Sequence, residues 1–180
     1  MILALNIVLS QFGWFASVVG AANNLPWAGP AIVALVVAWH LHVAHRPATE
    51  LQLIIVCSAL GAIFDSLLVT LGWLRYPSGM LVPWLAPYWI VAMWALFATT
   101  LNISFRWLRG RPLLAAIIGA VAGPLSYLAG AKLGGVRFVD PAAAQGALAV
   151  GWALMLPVLV ALACRLDGMA RRPRRLAEAV

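Results

Sequence analysis

Charged side chains are scarce in this chain. Five acidic and twelve basic residues account for 9% of its 180 residues, whereas 64% of the residues are apolar. So few charges cannot cover a water-exposed surface, and this excludes an ordinary soluble domain. The composition predicts an all-α integral membrane protein, because long apolar runs without period-two alternation form helices rather than a barrel.

Sequence signatures of catalysis and of cofactor binding are also missing. Cys57 and Cys164 form no disulfide or metal pattern, no hydroxyl or thiol nucleophile has an evident general base, and no glycine-rich phosphate loop is present. We therefore expect no cofactor, and the sequence favours a non-enzymatic protein. The net charge of +7 follows from membrane topology, so no nucleic-acid partner is expected.

The three histidines lie close together, at His40, His42 and His45. On a helix His42 and His45 share one face, and His40 points elsewhere. A metal ion would also need a carboxylate, for example that of Glu50, whereas solvated histidines at the membrane interface need no ligand. We expect no metal site. If the chain bound a metal ion, His42 and His45 would be the candidate ligands.

Six mostly apolar runs predict a bundle of six transmembrane helices. A hydrocarbon core about 30 Å thick requires about 20 helical residues. The predicted helices cover residues 2–22, 29–43, 50–73, 84–105, 112–131 and 143–164. The prediction is a single transmembrane domain over residues 1–170, followed by a short basic tail over residues 171–180.

Basic residues predict the orientation. Nine of the twelve lie on the side of the membrane that also holds both termini: Arg46, Arg106, Arg109, Arg111, Arg165, Arg171, Arg172, Arg174 and Arg175. The other side holds Arg75, Lys132 and Arg137. Because basic loops stay in the cytoplasm, we expect both termini to be cytoplasmic. The basic tail would anchor the protein to anionic lipid.

Asp65 is the main candidate for a functional group within the membrane. It lies in the outer half of the third predicted helix, where a carboxylate costs about 2.5–3.5 kcal/mol and should face the bundle interior. Its predicted partners are Lys132 and the hydroxyl groups of Ser126, Tyr127 and Ser17. The alternative is a structural ion pair or hydrogen bond that locks two helices together.

A second layer of polar residues is predicted nearer the cytoplasm. Three helices contribute to it, with Asn6, Ser10, Glu50, Thr99, Asn102 and Arg106. Side-chain amides that bridge membrane helices contribute about 0.6–2 kcal/mol each, so helix packing explains this layer without any ligand. A polar cleft that opens to the cytoplasm is the alternative.

Three tryptophans fall near the membrane centre, at Trp14, Trp94 and Trp152. Their indole N–H groups require hydrogen-bond partners at that depth. They are candidates for the wall of an apolar ligand pocket, although core packing explains them as well.

Two parts of the chain share short sequence patterns, which we call the internal echo. The pattern Pro-Trp-x-x-Pro occurs at residues 26–30 and 83–87, and Arg-Pro precedes both the third and the fifth helix. The echo suggests a duplicated two-helix hairpin, as in some transporters. Local chemistry is the alternative, since tryptophan favours the interface and proline the first helical turn.

Distinctive strings occur along most of the chain. They are QFGWFASVVGAANNLPWAGP at 11–30, FDS around Asp65, FATTLN at 97–102, WLRGRP at 107–112 and GPLSYLAG at 123–130. Together they resemble a family of small bacterial inner-membrane proteins classed as a domain of unknown function. Genes of that family tend to lie near those for cyclopropane-fatty-acid-synthase-like methyltransferases and flavin-dependent amine-oxidase-like proteins. The resemblance therefore implies a location in a bacterial inner membrane and a role beside the modification of membrane fatty acids, and it supplies no catalytic residues.

These features support three functional hypotheses. The leading one is an accessory protein that binds or moves a lipid-like molecule, or docks soluble fatty-acid-modifying enzymes. The second is a small transporter of a solute or of protons in which Asp65 titrates, with a homo-oligomer to complete its pathway. The third is an intramembrane lipid-modifying enzyme, whose polar groups would have to converge within about 10 Å. Those groups are Asn6, Glu50, His42, His45, Asn102 and Arg106.

Overall fold

The structure, a computed structural model, describes residues 1–170 and contains six α-helices within that range. They are α1 (Ile2–Ala22), α2 (Ala28–Val43), α3 (Pro47–Thr70), α4 (Tyr88–Leu101), α5 (Pro112–Lys132) and α6 (Pro141–Arg165). A short 3₁₀ turn, Arg106–Leu108, follows α4, and the strands β1 (Leu74–Arg75) and β2 (Arg137–Phe138) have two residues each. The predicted basic tail, residues 171–180, lies outside the described residues.

Four of these helices, α1, α3, α5 and α6, are long and apolar enough to cross a membrane. The predicted all-α architecture is thus confirmed within residues 1–170. The other two, α2 and α4, have 16 and 14 residues, fewer than the roughly 20 that a bilayer requires. The predicted fourth helix, residues 84–105, is too long, because the extended conformation of Pro87 delays the start of α4 and the helix ends at Leu101.

Most other boundaries follow the chemistry of helix ends. Pro47, Pro112 and Pro141 each lie in the first turn of a helix, where the missing N–H group needs no partner. For this reason α3 begins before the predicted position at Glu50. Asp140 caps α6 by accepting a 3.0 Å hydrogen bond from the backbone N–H of Ala143.

Helix α4 lies at the centre of the bundle, in contact with α1, α2 and α3. Helices α5 and α6 form a hairpin that contacts the other helices chiefly through α6. Gly119 and Gly123 of α5 allow this close approach, because a Cβ atom at either position would overlap Trp152 of α6. Since α5 packs on α6 rather than on α1 or α4, a space remains between these helices.

The two ends of the bundle differ in structure. We call the end that holds Met1, the last turn of α6 and the Arg-Pro turns before α3 and α5 the terminal end. The opposite end, which holds β1, β2 and the loop over residues 76–87, we call the strand end. The hydroxyl group of Ser78 attaches that loop to α1 by donating a 2.7 Å hydrogen bond to the carbonyl of Ala21.

At the strand end, the segments that follow α3 and α5 have matching structures, in line with the internal echo. Gly72 and Gly134 follow α3 and α5 with φ angles of 72° and 84°, a conformation that glycine adopts at little cost. Each is followed at the same spacing by an arginine, and these two, Arg75 and Arg137, lie opposite each other in the antiparallel β1–β2 pair. The two strands are therefore related by a local two-fold axis, as a parallel duplication requires. The duplication itself stays a prediction.

Candidate functional site

Helix α3 carries two fully buried carboxyl groups, those of Glu50 and Asp65. They are 15 residues apart in the chain, which corresponds to about 22 Å along a helix. The Asp65 cluster lies toward the strand end, and the Glu50 cluster lies toward the terminal end. Each carboxyl group accepts hydrogen bonds from several other parts of the chain.

Asp65 accepts three side-chain hydrogen bonds. Its Oδ1 atom accepts from the hydroxyl groups of Tyr76, at 2.9 Å, and Tyr127, at 2.6 Å. Its Oδ2 atom accepts from the indole N–H of Trp94 at 2.7 Å. These donors come from the loop after β1, from α5 and from α4, so a single carboxyl group joins three separate segments to α3.

Of the predicted partners of Asp65, only Tyr127 donates a hydrogen bond to it. Lys132 is exposed in the last turn of α5 and forms no ion pair among residues 1–170. Its long side chain keeps the ammonium group hydrated instead. The hydroxyl group of Ser17 donates to the carbonyl of Gly13 in its own helix at 2.8 Å, and Ser126 is exposed.

A cavity of about 610 Å³ lies beside the Asp65 cluster, between α1, α4, α5 and α6. Trp94 and Tyr127 form part of its wall and at the same time donate to Asp65. Along α5 the cavity extends from Ile118 to Ala129, roughly 16 Å at 1.5 Å per residue. A mostly apolar cavity of this volume is typical of a small-molecule site.

Aromatic side chains form much of the cavity wall. They are Trp14, Trp94, Phe97, Phe105, Tyr127 and Trp152. The rings of Trp94 and Trp152 stack with their centroids 4.8 Å apart, and Phe97 meets Trp152 edge-on at 5.3 Å. The three tryptophans predicted near the membrane centre thus all lie in this wall. The indole N–H of Trp152 has no hydrogen-bond partner within residues 1–170.

The cavity opens at the side of the bundle. Gln11 on α1 and Leu125 and Ser126 on α5 line the cavity and are exposed at the protein surface. These residues lie well within their helices rather than at the helix ends. The opening between α1 and α5 therefore lies near the middle of two helices that are long and apolar enough to cross a membrane.

Glu50 is the centre of the second cluster. Its Oε2 atom and the Nε2 atom of His40 share a hydrogen bond of 2.8 Å. Its Oε1 atom accepts from the side-chain amide of Asn102 and from the backbone N–H of Gly168, both at 2.7 Å. The histidine beside Glu50 is therefore His40, which is fully buried.

The predicted metal candidates His42 and His45 are both exposed. His42 lies on the exposed side of the last turn of α2, and His45 lies in the turn after that helix. Of the three histidines, only His40 contacts Glu50. Within residues 1–170 there is no group of three or more histidine, cysteine, aspartate or glutamate side chains arranged to hold a metal ion.

The remaining predicted polar residues serve separate contacts. The amide of Asn6 donates to the backbone carbonyl of Thr99 at 3.2 Å and its carbonyl accepts from the hydroxyl group of Ser104 at 2.6 Å. The hydroxyl groups of Ser10 and Thr99 donate to carbonyls of their own helices. Arg106 bonds Asp167. Among the groups that the enzyme hypothesis requires, only Glu50 and Asn102 are directly bonded to each other.

Asp167, which is not among the predicted site residues, holds the segment after α6. Its carboxylate accepts hydrogen bonds from Arg106, from Arg109 at 2.7 Å, and from the backbone N–H groups two and three residues further along the chain. Arg46 donates to its backbone carbonyl. The turn before α3 and the segment between α4 and α5 are thereby attached to one short segment.

The charge of Asp167 should stabilise the fold at neutral pH. Burial alone would raise its pKa, but the hydrogen bond and charge of Arg109, together with Arg106, hold the pKa of this carboxyl below its usual value. A group with a lowered folded-state pKa stabilises the fold above its unfolded pKa of about 3.9, and the contribution is lost as pH falls through the folded value.

We therefore expect Asp167→Asn to lower stability by about 1–2 kcal/mol at pH 7. The thermal midpoint in detergent, followed by tryptophan fluorescence, measures this. The difference between wild type and variant should persist at pH 5, shrink below about pH 4 as the carboxyl of the unfolded chain becomes protonated, and disappear as the pH falls through the lower folded-state pKa. A difference that stays constant down to pH 2 would contradict the role of the charge.

Residues 3–158 match the family described as "Protein of unknown function (DUF2878)". The chain belongs to this family. No curated protein and no solved structure shows significant similarity to the chain. The DUF2878 match contains the whole Asp65 cluster and every residue of the cavity wall, whereas Asp167 lies beyond it. The predicted resemblance to a family of unknown function is thereby confirmed.

The sequence-based predictions do not include the contacts of three side chains, those of His40, Tyr76 and Asp167. His40 lies in the last turn of α2 and Glu50 in the first turn of α3, so the short turn between them is a usable signal for their contact. Tyr76 has no such signal, because the β1–β2 pair places its loop. Asp167 is close in sequence to no basic residue that it contacts.

Proposed function

We propose that this DUF2878 protein binds a lipid chain in the cavity between α1, α4, α5 and α6 and acts as a non-enzymatic accessory protein. The observation that supports the proposal most is a mostly apolar cavity that opens at the side of the bundle. Through such an opening a molecule can enter from the bilayer without crossing water. Burial of its apolar surface against aromatic walls would supply most of the binding free energy.

Polar groups in the cavity suit the polar part of such a molecule. Thr100 and Ser10 lie on α4 and α1, while Ser126 and the hydroxyl group of Tyr127 lie farther toward the strand end. The hydroxyl hydrogens of Ser10, Thr100 and Tyr127 are donated within the protein, so their oxygens can accept from a hydroxyl group of the ligand. Ser126 and the indole N–H of Trp152, which has no partner within residues 1–170, can donate to an ester. A few polar groups in an apolar wall fix the orientation of a ligand.

In this proposal Asp65 supports the cavity wall. It bonds Trp94 of α4 and Tyr127 of α5, two helices that otherwise pack little on each other. The carboxyl group therefore fixes the width of the cavity at this level. A structural role of this kind explains why all three of its donors are neutral.

We further propose six membrane spans in a bacterial inner membrane, with both termini in the cytoplasm. The concentration of arginine at the terminal end supports this orientation. Short helices such as α2 and α4 are accommodated in a bilayer by local thinning and by flanking polar residues. The family resemblance adds soluble fatty-acid-modifying enzymes as partners for the cytoplasmic face.

Filling the cavity should prevent lipid binding. Ala122 of α5 lies in the cavity wall, and Ala122→Phe would place an aromatic ring in the space. Val121 is the next residue, is 55% exposed and lies outside the wall, so Val121→Phe is the matched control. We expect lipid that co-purifies with the protein, identified by native mass spectrometry, to be lost in Ala122→Phe and retained in the control. Equal retention in both variants would count against the cavity as the site.

A deletion strain provides the test in cells. The proposal predicts a changed fatty-acid pattern in the deletion strain, restored by wild type and by Val121→Phe but not by Ala122→Phe. An unchanged lipid profile would remove the support for a role in lipid modification, while lipid retention by the purified protein would remain a separate result.

A transporter is the second candidate, and the local two-fold axis of the strand end favours it. In that case Asp65 would exchange protons, so Asp65→Asn should abolish pH-dependent flux in liposomes and leave lipid retention intact. Flux that is independent of Asp65 would exclude this form of the hypothesis.

A further inference from the structure

The strand end carries two adjacent arginines of like charge. Arg75 and Arg137 lie directly opposite each other in the β1–β2 pair, so their side chains leave the same face of the ribbon with Cβ atoms about 5 Å apart. Both are exposed, while Leu74 on the opposite face is buried. Like charges directly opposite each other destabilise a strand pair unless they are neutralised.

No acidic side chain within residues 1–170 forms an ion pair with either arginine. The acids at this end are Asp65, which is buried with three donors of its own, and Asp140, whose carboxylate caps α6. Lys132 adds a further positive charge to the same end. The two guanidinium groups are therefore available to an external anion.

Apolar side chains at the strand end indicate where that anion would be found. Leu81 is 81% exposed and Trp84 is 60% exposed, and Leu85, Leu133 and Val139 are exposed as well. Tryptophan and flanking apolar residues favour the headgroup layer of a membrane. The arginine pair therefore lies at the level of phospholipid headgroups, whose phosphate groups are the most abundant anions there.

We propose that Arg75 and Arg137 together bind the phosphate group of an anionic phospholipid in the leaflet that the strand end faces. Guanidinium groups donate two parallel hydrogen bonds to phosphate oxygens, and one phosphate between them relieves the repulsion of the pair. Arg75 follows α3 and Arg137 follows α5, so the bound phosphate also joins the two halves of the bundle. This site does not depend on the ligand of the cavity.

Native mass spectrometry of the full-length protein in detergent tests the site, with phosphatidylglycerol and phosphatidylcholine as titrants. We expect Arg75→Gln and Arg137→Gln each to weaken phosphatidylglycerol binding about fivefold, and the double variant about thirtyfold. Phosphatidylcholine carries the same phosphate group, but its choline cation opposes binding beside two arginines, so it should bind more weakly and its binding should change less. Lys132→Gln is the matched control, because it removes the same charge from the same end outside the strand pair, and its effect should be clearly smaller than that of either arginine variant.

The double variant Arg75→Lys with Arg137→Lys retains the charge and removes the paired donors. It should bind phosphatidylglycerol more weakly than wild type and more tightly than the double glutamine variant, and it gives an answer even if the latter does not fold. A loss in Lys132→Gln as large as in Arg75→Gln would overturn the site in favour of general attraction. Displacement of phosphatidylglycerol by inorganic phosphate at equal concentration would assign the pair to free phosphate and overturn the lipid site. Unchanged binding in both double variants would overturn it outright.

Discussion

Replacement of Gly61 by alanine should destabilise the protein by about 3–5 kcal/mol. A Cβ atom at Gly61 would overlap the indole of Trp94, and a buried ring has no free end that can turn aside. Overpacking of this kind alone costs about 1–3 kcal/mol. Trp94 also donates to Asp65 and stacks on Trp152, so its displacement would break the Asp65 cluster and distort the cavity wall.

Gly146→Ala is the matched control for this substitution. Gly146 lies within α6, and a Cβ atom there would meet no other atom within 4 Å. Because alanine favours a helix over glycine by up to about 1 kcal/mol, this variant should be as stable as wild type or slightly more stable. Thermal midpoints in one detergent decide the comparison. If Gly61→Ala is as stable as Gly146→Ala, that result would contradict the close packing of Gly61 against Trp94.

Removal of the Asp65 carboxyl group should also destabilise the protein by about 3–5 kcal/mol, provided that no acceptor replaces it. Asp65→Leu leaves the hydroxyl groups of Tyr76 and Tyr127 and the indole N–H of Trp94 without a partner. Each buried donor without a partner costs about 1–3 kcal/mol. Asp65→Asn should cost less, because its amide oxygen still accepts from both tyrosines.

The orientation of the amide in Asp65→Asn allows a more specific test, a double-mutant cycle with Trp94. With the amide oxygen toward Tyr76 and Tyr127, the NH₂ group of the new side chain would face the N–H of Trp94, and the two donors repel. Trp94→Phe removes that second donor. The double-mutant cycle should therefore show that Asp65→Asn destabilises the Trp94→Phe background by at least about 1 kcal/mol less than it destabilises wild type. An equal effect in both backgrounds would contradict the geometry of the Asp65 cluster.

Helices could be predicted from composition, whereas the length of α4 could not. Backbone groups in lipid must bond within the segment, so each long apolar run yields a helix. The loop before α4 is equally apolar, with Leu81, Trp84 and Leu85 exposed at the strand end. Hydropathy therefore extends the predicted fourth helix into it, and only the extended conformation at Pro87 marks the true start.

The Asp65 cluster could be predicted in part. A carboxyl group in a membrane helix requires partners, which singles out Asp65, and the depth of Tyr127 makes it one of them. The rotation of α5 about its axis decides that Tyr127 faces α3 while Lys132 faces solvent, and depth alone does not specify rotation. Tyr76 reaches Asp65 only because β1 pairs with β2, a contact between distant segments that no local pattern encodes.

The cavity depends on two glycines whose role is visible only in three dimensions. Gly119 and Gly123 bring α5 onto Trp152 of α6, and this draws α5 away from α1. Small residues at such spacing predict close helix packing. They do not specify which neighbour is approached, and that choice determines whether a cavity is left on the other side.

Photo-crosslinking in lipid vesicles tests the proposed lipid site most directly. The full-length protein would be reconstituted with a phospholipid that carries a diazirine in the middle of one acyl chain. We predict that labelling concentrates on the wall of the cavity, between Ile118 and Ala129 of α5 and on the facing side of α4. It should disappear in Ala122→Phe and persist in Val121→Phe. Labelling confined to outward-facing residues such as Leu35 and Leu113, and unchanged in Ala122→Phe, would contradict a lipid site in this cavity.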